Sequence, residues 1–252
     1  MVGAFFRNWG GAFADTARFA RALPLAVGLM VGVEILQHVV EARLGMFASD
    51  LAVRTSAAAA PVRMLFGWPK MAMVYLLAFI AMRWLVTGDR RATLRPTGRA
   101  IGRYALVALF QTVIAAVVIY AGPITDLFGA GKAGVLPLRT TFGLFQQLAE
   151  PALALWYVNA AMGSQAYGPV GSVRTTGWLY LWALPLLFLS RLPFSAVHQL
   201  LNRWPAGKPA EVLWPMLIAD AAVVGVMVVF IAAIQVRIAR YVAARRGCPL
   251  IG

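Results

Sequence analysis

The run FGWPKMAMVYLLAFIAMRWLV, within residues 66 to 87, is long enough and apolar enough to cross a bilayer. The hydrocarbon layer takes about 20 consecutive apolar residues as a helix, and a backbone inside it must satisfy its own hydrogen bonds. Five other stretches read the same way, at about 23–40, 104–122, 140–162, 178–198 and 213–238. The sequence therefore predicts an all-α fold, a polytopic membrane bundle of about six transmembrane helices forming one integral domain over 1–252. Composition agrees. The chain is 61% hydrophobic and 13% charged, with a mean hydropathy of +0.75, whereas soluble domains run about 45–50% apolar and about 25% charged. Six spans and their loops leave no room for a sizeable soluble domain.

A net charge of +14 would point to nucleic acid in a soluble protein. Here most arginines flank apolar spans, where they set topology and meet anionic headgroups, so the expected partners are the bilayer and its anionic lipids, with no nucleic acid. With the N-terminus inside, segments 1–22, 83–104, 164–177 and 237–252 carry 14 of the 23 lysines and arginines. That bias predicts a bacterial inner-membrane protein with both termini in the cytoplasm. Arg90, Arg91, Arg95, Arg99 and Arg103 dominate it and are the candidate lipid-headgroup contacts.

No cleavable signal peptide is expected, because no short apolar core precedes a small-residue cleavage site. Residues 4 to 21 instead predict an amphipathic interfacial helix, with Phe5, Phe6, Trp9 and Phe13 on one side and Arg7, Arg18 and Arg21 reaching headgroups. The segment 41–65 is the longest non-spanning stretch, with room for a short surface helix, and 239–252 reads as a basic tail leaving the bilayer. The one cysteine, Cys248, cannot form an internal disulfide. It is expected as a free thiol, with juxtamembrane palmitoylation the sharper alternative. The segments 16–29, 97–110 and 176–189 look alike, as do the closing sequences of the even-numbered spans, which fits three related helical hairpins.

Ionisable groups inside spans are costly, and each is a candidate site. Glu34, His38 and Glu41 fall at i, i+4 and i+7 on the first span, hence on one helix face, with Gln37 adjoining. Such a stripe could relay protons, hold a cation or bind a polar headgroup; it could equally face partner helices. Glu150 precedes Pro151 midway along the fourth span, with Gln146 and Gln147 one turn earlier and Asn159 farther on. Asp220 lies in the outer half of the sixth span. Neither Glu150 nor Asp220 has a basic residue within one turn, so each needs a partner from another span, and by depth Arg139, Arg191 and His198 are nearest. Ion pairs that fix helix packing are one reading; an ion or ligand pathway through Glu34, His38, Glu41, Gln146, Glu150 and Asp220 is the other.

His38 and His198 are the only histidines, both near outer ends of spans running in the same direction. Facing each other, they could ligate a haem iron. A closed zinc set would need ligands from a helix other than the first. No cofactor and no metal are expected. The tryptophans lie mostly near span ends, as an aromatic belt. Gly28 and Gly32 form a small-xxx-small pair favouring close helix approach, read as internal packing before homodimerisation. There is no HExxH, GxSxG or Walker-type loop, and the chain is not expected to be an enzyme.

Arg21–Leu25 (RALPL), Met82–Arg91 (MRWLVTGDRR) and Ser172–Leu187 (SVRTTGWLYLWALPLL) resemble bacterial six-helix inner-membrane proteins of the YciC type and the membrane domain attached to some glycerophosphodiester phosphodiesterases. The resemblance covers the chain loosely. It implies a six-helix integral domain and carries over no catalytic residue, since the phosphodiesterase chemistry belongs to a separate soluble domain. Three functions follow in order: a lipid- or small-ligand-binding protein or accessory subunit of a membrane complex, with partner membrane proteins; a small proton-coupled carrier using the same acids and histidine; and a haem protein or intramembrane enzyme.

Overall fold

The computed structural model describes residues 2–251. It is all-α, with no strand among the described residues. The long helices are α1 (Val2–Ala22), α2 (Pro24–Arg43), α4 (Pro61–Thr87), α6 (Gly98–Ile119), α8 (Gly131–Met162), α10 (Tyr180–Arg203) and α11 (Ala210–Arg246). Short helices α3 (Leu51–Ala58), α5 (Arg90–Leu94), α7 (Ala121–Leu127) and α9 (Pro169–Thr176) lie between them. Local chemistry sets these limits. Pro24, Pro61 and Pro169 occupy first turns, where a missing N–H costs nothing. Asp50, Asp89 and Thr97 cap the N-termini of α3, α5 and α6 with side-chain oxygens. Gly88 and Gly163 close α4 and α8 at φ of 66° and 79°, a left-handed turn that glycine takes without a Cβ penalty.

Successive long helices pair as three hairpins, α2 with α4, α6 with α8 and α10 with α11. One end of the bundle carries the chain termini and α5. The other, distal end carries α3, α7 and the turn between α10 and α11. Helix α11 is the axis, packed against α1, α2, α4, α8 and α10. Its apolar window is 61% buried, against 17–28% for the other helices long and apolar enough to span. The outer helices turn large apolar side chains outward, including Leu25, Leu36, Leu76, Leu106, Leu109 and Leu181. Water would not tolerate so much exposed apolar surface; lipid does. The chain is a multi-pass membrane protein.

Five helical stretches are long and apolar enough to cross: Pro24–Arg43, Pro61–Thr87, Gly98–Ile119, Pro169–Arg203 and Ala210–Arg246. The expected span at 140–162 falls inside α8, which is not among the five. Gln146, Gln147, Glu150 and Asn159 dilute its apolar content, and Glu150 and the residues after it pack inside the protein. At 32 residues α8 is about 48 Å long, enough to reach across. In its second half the Ser172 hydroxyl stands between two backbone groups four residues apart. It donates to Ala152 O at 2.7 Å and accepts from Trp156 N at 3.2 Å. A side chain inserted there bends a helix, one residue after Pro151.

Several expectations change. Gly28 and Gly32 are exposed on α2, so the small-residue pair does not serve internal packing. The close approach is made by Gly225 of α11, where a Cβ would lie 3.0 Å from Val31 Cγ2. The C-terminal segment does not simply leave the bundle. After Gly247 it folds back, Asn159 Nδ2 donating to Leu250 O at 2.9 Å and Tyr167 OH to Pro249 O at 3.1 Å. Trp182 is buried against Tyr241 instead of joining an aromatic belt. Helix α1 contacts the start of α10 through Phe5 and Phe6, α11 through Phe13, and Trp84 through Phe19. It straps the terminal end of the bundle together, and its Asp15 is buried.

Candidate functional site

Glu34, His38 and Glu41 do share the inward face of α2, and all three are buried. His38 is the junction. Its Nδ1 lies 3.2 Å from Glu41 Oε2, and its Nε2 lies 3.0 Å from Asp220 Oδ2 of α11 and 3.9 Å from Glu34 Oε1. Asp220 is fully buried and is met from α10, by His198 Nδ1 at 2.7 Å and Asn202 Nδ2 at 2.6 Å. Helix α4 supplies the cations: Lys70 Nζ donates to Glu34 Oε1 at 2.7 Å, and Arg63 Nε to Glu41 Oε1 at 2.9 Å. Gln37 Nε2 adds a second donor to Glu41 at 2.9 Å. Four helices thus meet in one ionic chain. Without these pairings each buried charge would cost several kcal/mol.

The chain borders a distal cavity of about 670 Å³, within the size range of small-ligand sites. Gln37, Arg63 and Lys70 stand on its wall, with Val118, Pro123 and Arg139 opposite. Three cations and no acid line it. Arg139 Nε donates to the Val118 carbonyl at 3.2 Å, a group in the last turn of α6, which holds the guanidinium at the cavity wall.

Glu150 belongs to a second cluster in the middle of the bundle. Arg191 of α10 donates to Glu150 Oε2, and Gln235 of α11 adds a bond at 3.2 Å. Gln146 bonds Gln111 of α6 at 3.3 Å. Of the three partners anticipated by depth, Arg191 and His198 meet their acids and Arg139 does not. The stripe on α2 and Asp220 form one site, while Glu150 and Gln146 stand apart from it.

At the terminal end, Arg90, Arg91, Arg95 and Arg99 are exposed, as headgroup contacts require. Arg103 is half-buried and donates to Ser164 O at 3.0 Å, so it ties α6 to the loop after α8. Buried Arg83 donates to the carbonyls of Thr93, Ala161 and Ala92 at 3.2, 2.8 and 2.6 Å. Asp15 accepts from Arg18, its neighbour one turn on, and from Arg237 Nε at 2.6 Å. Sequence reasoning missed Lys70, Arg63, Arg83 and the Asp15–Arg237 pair as structural partners. Position within a predicted span was a signal for Lys70 and Arg83, and the i,i+3 spacing a signal for Asp15 and Arg18.

The two histidines do converge, but both turn a ring nitrogen to the same Asp220 carboxylate, so the ligands a haem would need are already engaged by an acid. Atoms able to ligate a metal that α2 alone lacks stand on α11, at Asp220, and on α10, at His198. Compared with known proteins, the chain matches no family model, no curated protein and no solved structure.

Proposed function

We propose that this protein is a non-enzymatic protein of the bacterial inner membrane, with both termini in the cytoplasm, that binds the anionic headgroup of a lipid or a small anionic amphiphile in its distal cavity. Binding of this kind suits an accessory subunit that presents or senses a lipid within a membrane complex. The observation that carries the reading is the cavity wall: Arg63, Lys70 and Arg139 face it with no acid among the lining residues. Charge-assisted bonds from such a trio are about twice as strong as neutral ones, and the apolar stretch of Met64, Met71 and Val118 suits acyl chain. Arg63 and Lys70 are neutralised from behind by Glu41 and Glu34, which holds them in place. Arg139 has no acid partner among the described residues and supplies the free charge.

The test is native mass spectrometry of detergent-purified protein titrated with phosphatidylglycerol and, separately, phosphatidylcholine and inorganic phosphate. Phosphatidylglycerol is expected to bind selectively, with Arg139→Gln weakening it roughly tenfold, the scale of one charge-assisted bond. Equal retention of both lipids, or no change in the variant, would refute the reading. Selective phosphate binding would make the ligand a soluble anion. The ionic chain from Arg63 to His198 also supports a proton-coupled carrier. In that case proteoliposomes would show proton-driven flux that Asp220→Asn abolishes, and not binding alone.

A further inference from the structure

At His38 three helices bring metal-ligating atoms together, and we propose that Glu34, His38 and Asp220, with His198 as fourth ligand, bind one divalent transition-metal ion of the zinc type. One ligand atom from each of Glu34, His38 and Asp220 lies within 4.8 Å of the other two. In a tetrahedral site with metal–ligand bonds near 2.0–2.2 Å, ligand atoms sit roughly 3.3–3.6 Å apart. The observed separations, 3.0 Å from His38 Nε2 to Asp220 and 3.9 Å to Glu34, bracket that value. His198 Nδ1 meets the other oxygen of Asp220, Oδ1, at 2.7 Å and must turn toward the ion to complete the shell.

A second observation is independent of spacing. Glu34 is 0% exposed, and its Oε2 has no hydrogen-bond partner. A buried carboxylate oxygen left without a donor is costly, and a cation between Glu34 and His38 supplies what it lacks. Hydrogen positions leave a place that a proton or a metal ion can fill. Neutral imidazole has one N–H. Given to Glu41 through Nδ1, it leaves the Nε2 lone pair facing the lone pairs of Asp220. A proton or a metal ion must lie between them. Glu41 then orients the ring from behind, as outer carboxylates do for metal-bound histidine, and is itself held by Gln37 and Arg63.

The ligand types select the ion. Two imidazoles and two carboxylates suit zinc, manganese or iron(II) better than calcium or magnesium, which favour all-oxygen shells. The facing charge from α4 is Lys70 on Glu34 Oε1; that is the oxygen 3.9 Å from His38 Nε2, so Oε2 reaches the ion by a turn of the carboxylate. His198 is the most open member of the set, with its side chain 33% exposed. The lipid reading of the cavity is not required by this site.

The test uses the full chain purified in detergent, stripped with a chelator, titrated with ZnCl2, desalted and assayed for metal, with Co2+ as a spectroscopic probe. Wild type is expected to retain one zinc per chain and to give the intense visible bands of tetrahedral cobalt. His38→Gln and Glu34→Gln should each weaken retention at least tenfold, whereas Glu211→Gln, an acid outside the cluster, should not. Millimolar Mg2+ should fail to displace zinc. Should wild type retain no zinc, protons alone balance the cluster and the proposal is wrong; this outcome needs no variant to fold. Equal retention by wild type and both cluster variants would place the zinc elsewhere and overturn it equally, and displacement by Mg2+ would overturn the choice of ion.

Discussion

At the scale of single residues, the chain divides its buried charges between a polar junction and isolated pairs, and the two should respond differently to substitution. Glu150 is 1% exposed and bonded by Arg191 and Gln235. Removing one member of such a pair strands the other in a low-dielectric interior, at about 3–5 kcal/mol. Glu150→Ala is therefore expected to lower the detergent melting midpoint by roughly 6–20 °C, taking about 2–4 °C per kcal/mol for a chain of this size. Glu150→Ala combined with Arg191→Met should recover much of the loss, because no charge is then left unpaired; an additive double mutant would show that the two do not interact. This pair was partly legible in the sequence, since depth places Arg191 among three candidates, with Arg139 and His198, but does not choose between them. The α2 face was legible, because helical periodicity alone places Glu34, His38 and Glu41 together. Lys70 on Glu34 and Arg63 on Glu41 were not. Which side of α4 faces α2 depends on rotation about the helix axis, and the apolar residues of α4 run nearly all round it, which leaves no polar face to orient it.

At the scale of helices, the site depends on how closely α2 and α11 approach, because His38 stands on one and Asp220 on the other. Gly225 sets that distance. A Cβ there would lie 3.0 Å from Val31 Cγ2 and 3.5 Å from Val27 Cγ1, so alanine asks Val31 to give by a few tenths of an ångström. Leucine cannot fit without parting the helices. Gly225→Ala is expected to be near neutral and Gly225→Leu to cost about 1–3 kcal/mol. The leucine variant should also lose the contact of His38 with Asp220, read as a change in the imidazole resonances of His38. A Gly225→Leu protein with unaltered stability would mean that the two helices do not pack as described. The sequence pointed instead to Gly28 and Gly32. Small-residue spacing marks a face that can approach a neighbour and does not say whether the neighbour is a helix or lipid. Gly225 has the same spacing with Ala221, and only its contacts distinguish it from Gly28 and Gly32.

At the scale of the whole molecule, the bundle is polarised, and that polarity puts the cavity and the His38 junction at the same end. The terminal end carries exposed Arg90, Arg91, Arg95 and Arg99 and the strap of α1 held by Asp15 and Arg237. The distal end carries the cationic cavity and the junction at His38. Basic residues set which end stays with the cytoplasm during insertion, and short arginine-dense loops weigh most. The loop holding Arg90 to Arg99 is the densest, and α1, with Phe6 and Phe13 exposed, adds an amphipathic anchor at the same end. The sequence reveals this bias but not its margin, since 9 of 23 basic residues lie on the other side of the proposed topology. The structure explains part of that remainder: Arg63, Lys70 and Arg191 are committed to buried acids and stand inside the bundle instead of in a loop. In a cell-labelling experiment with Cys248 replaced by serine, a single cysteine at Arg95 should react only with membrane-permeant thiol reagents. One at Lys208, in the distal turn, should also react with impermeant reagents. The reverse pattern would put the cavity in the cytoplasm, where its ligand would be a cytosolic anion or an inner-leaflet lipid, and the His38 cluster would then draw its ion from the cytosolic pool.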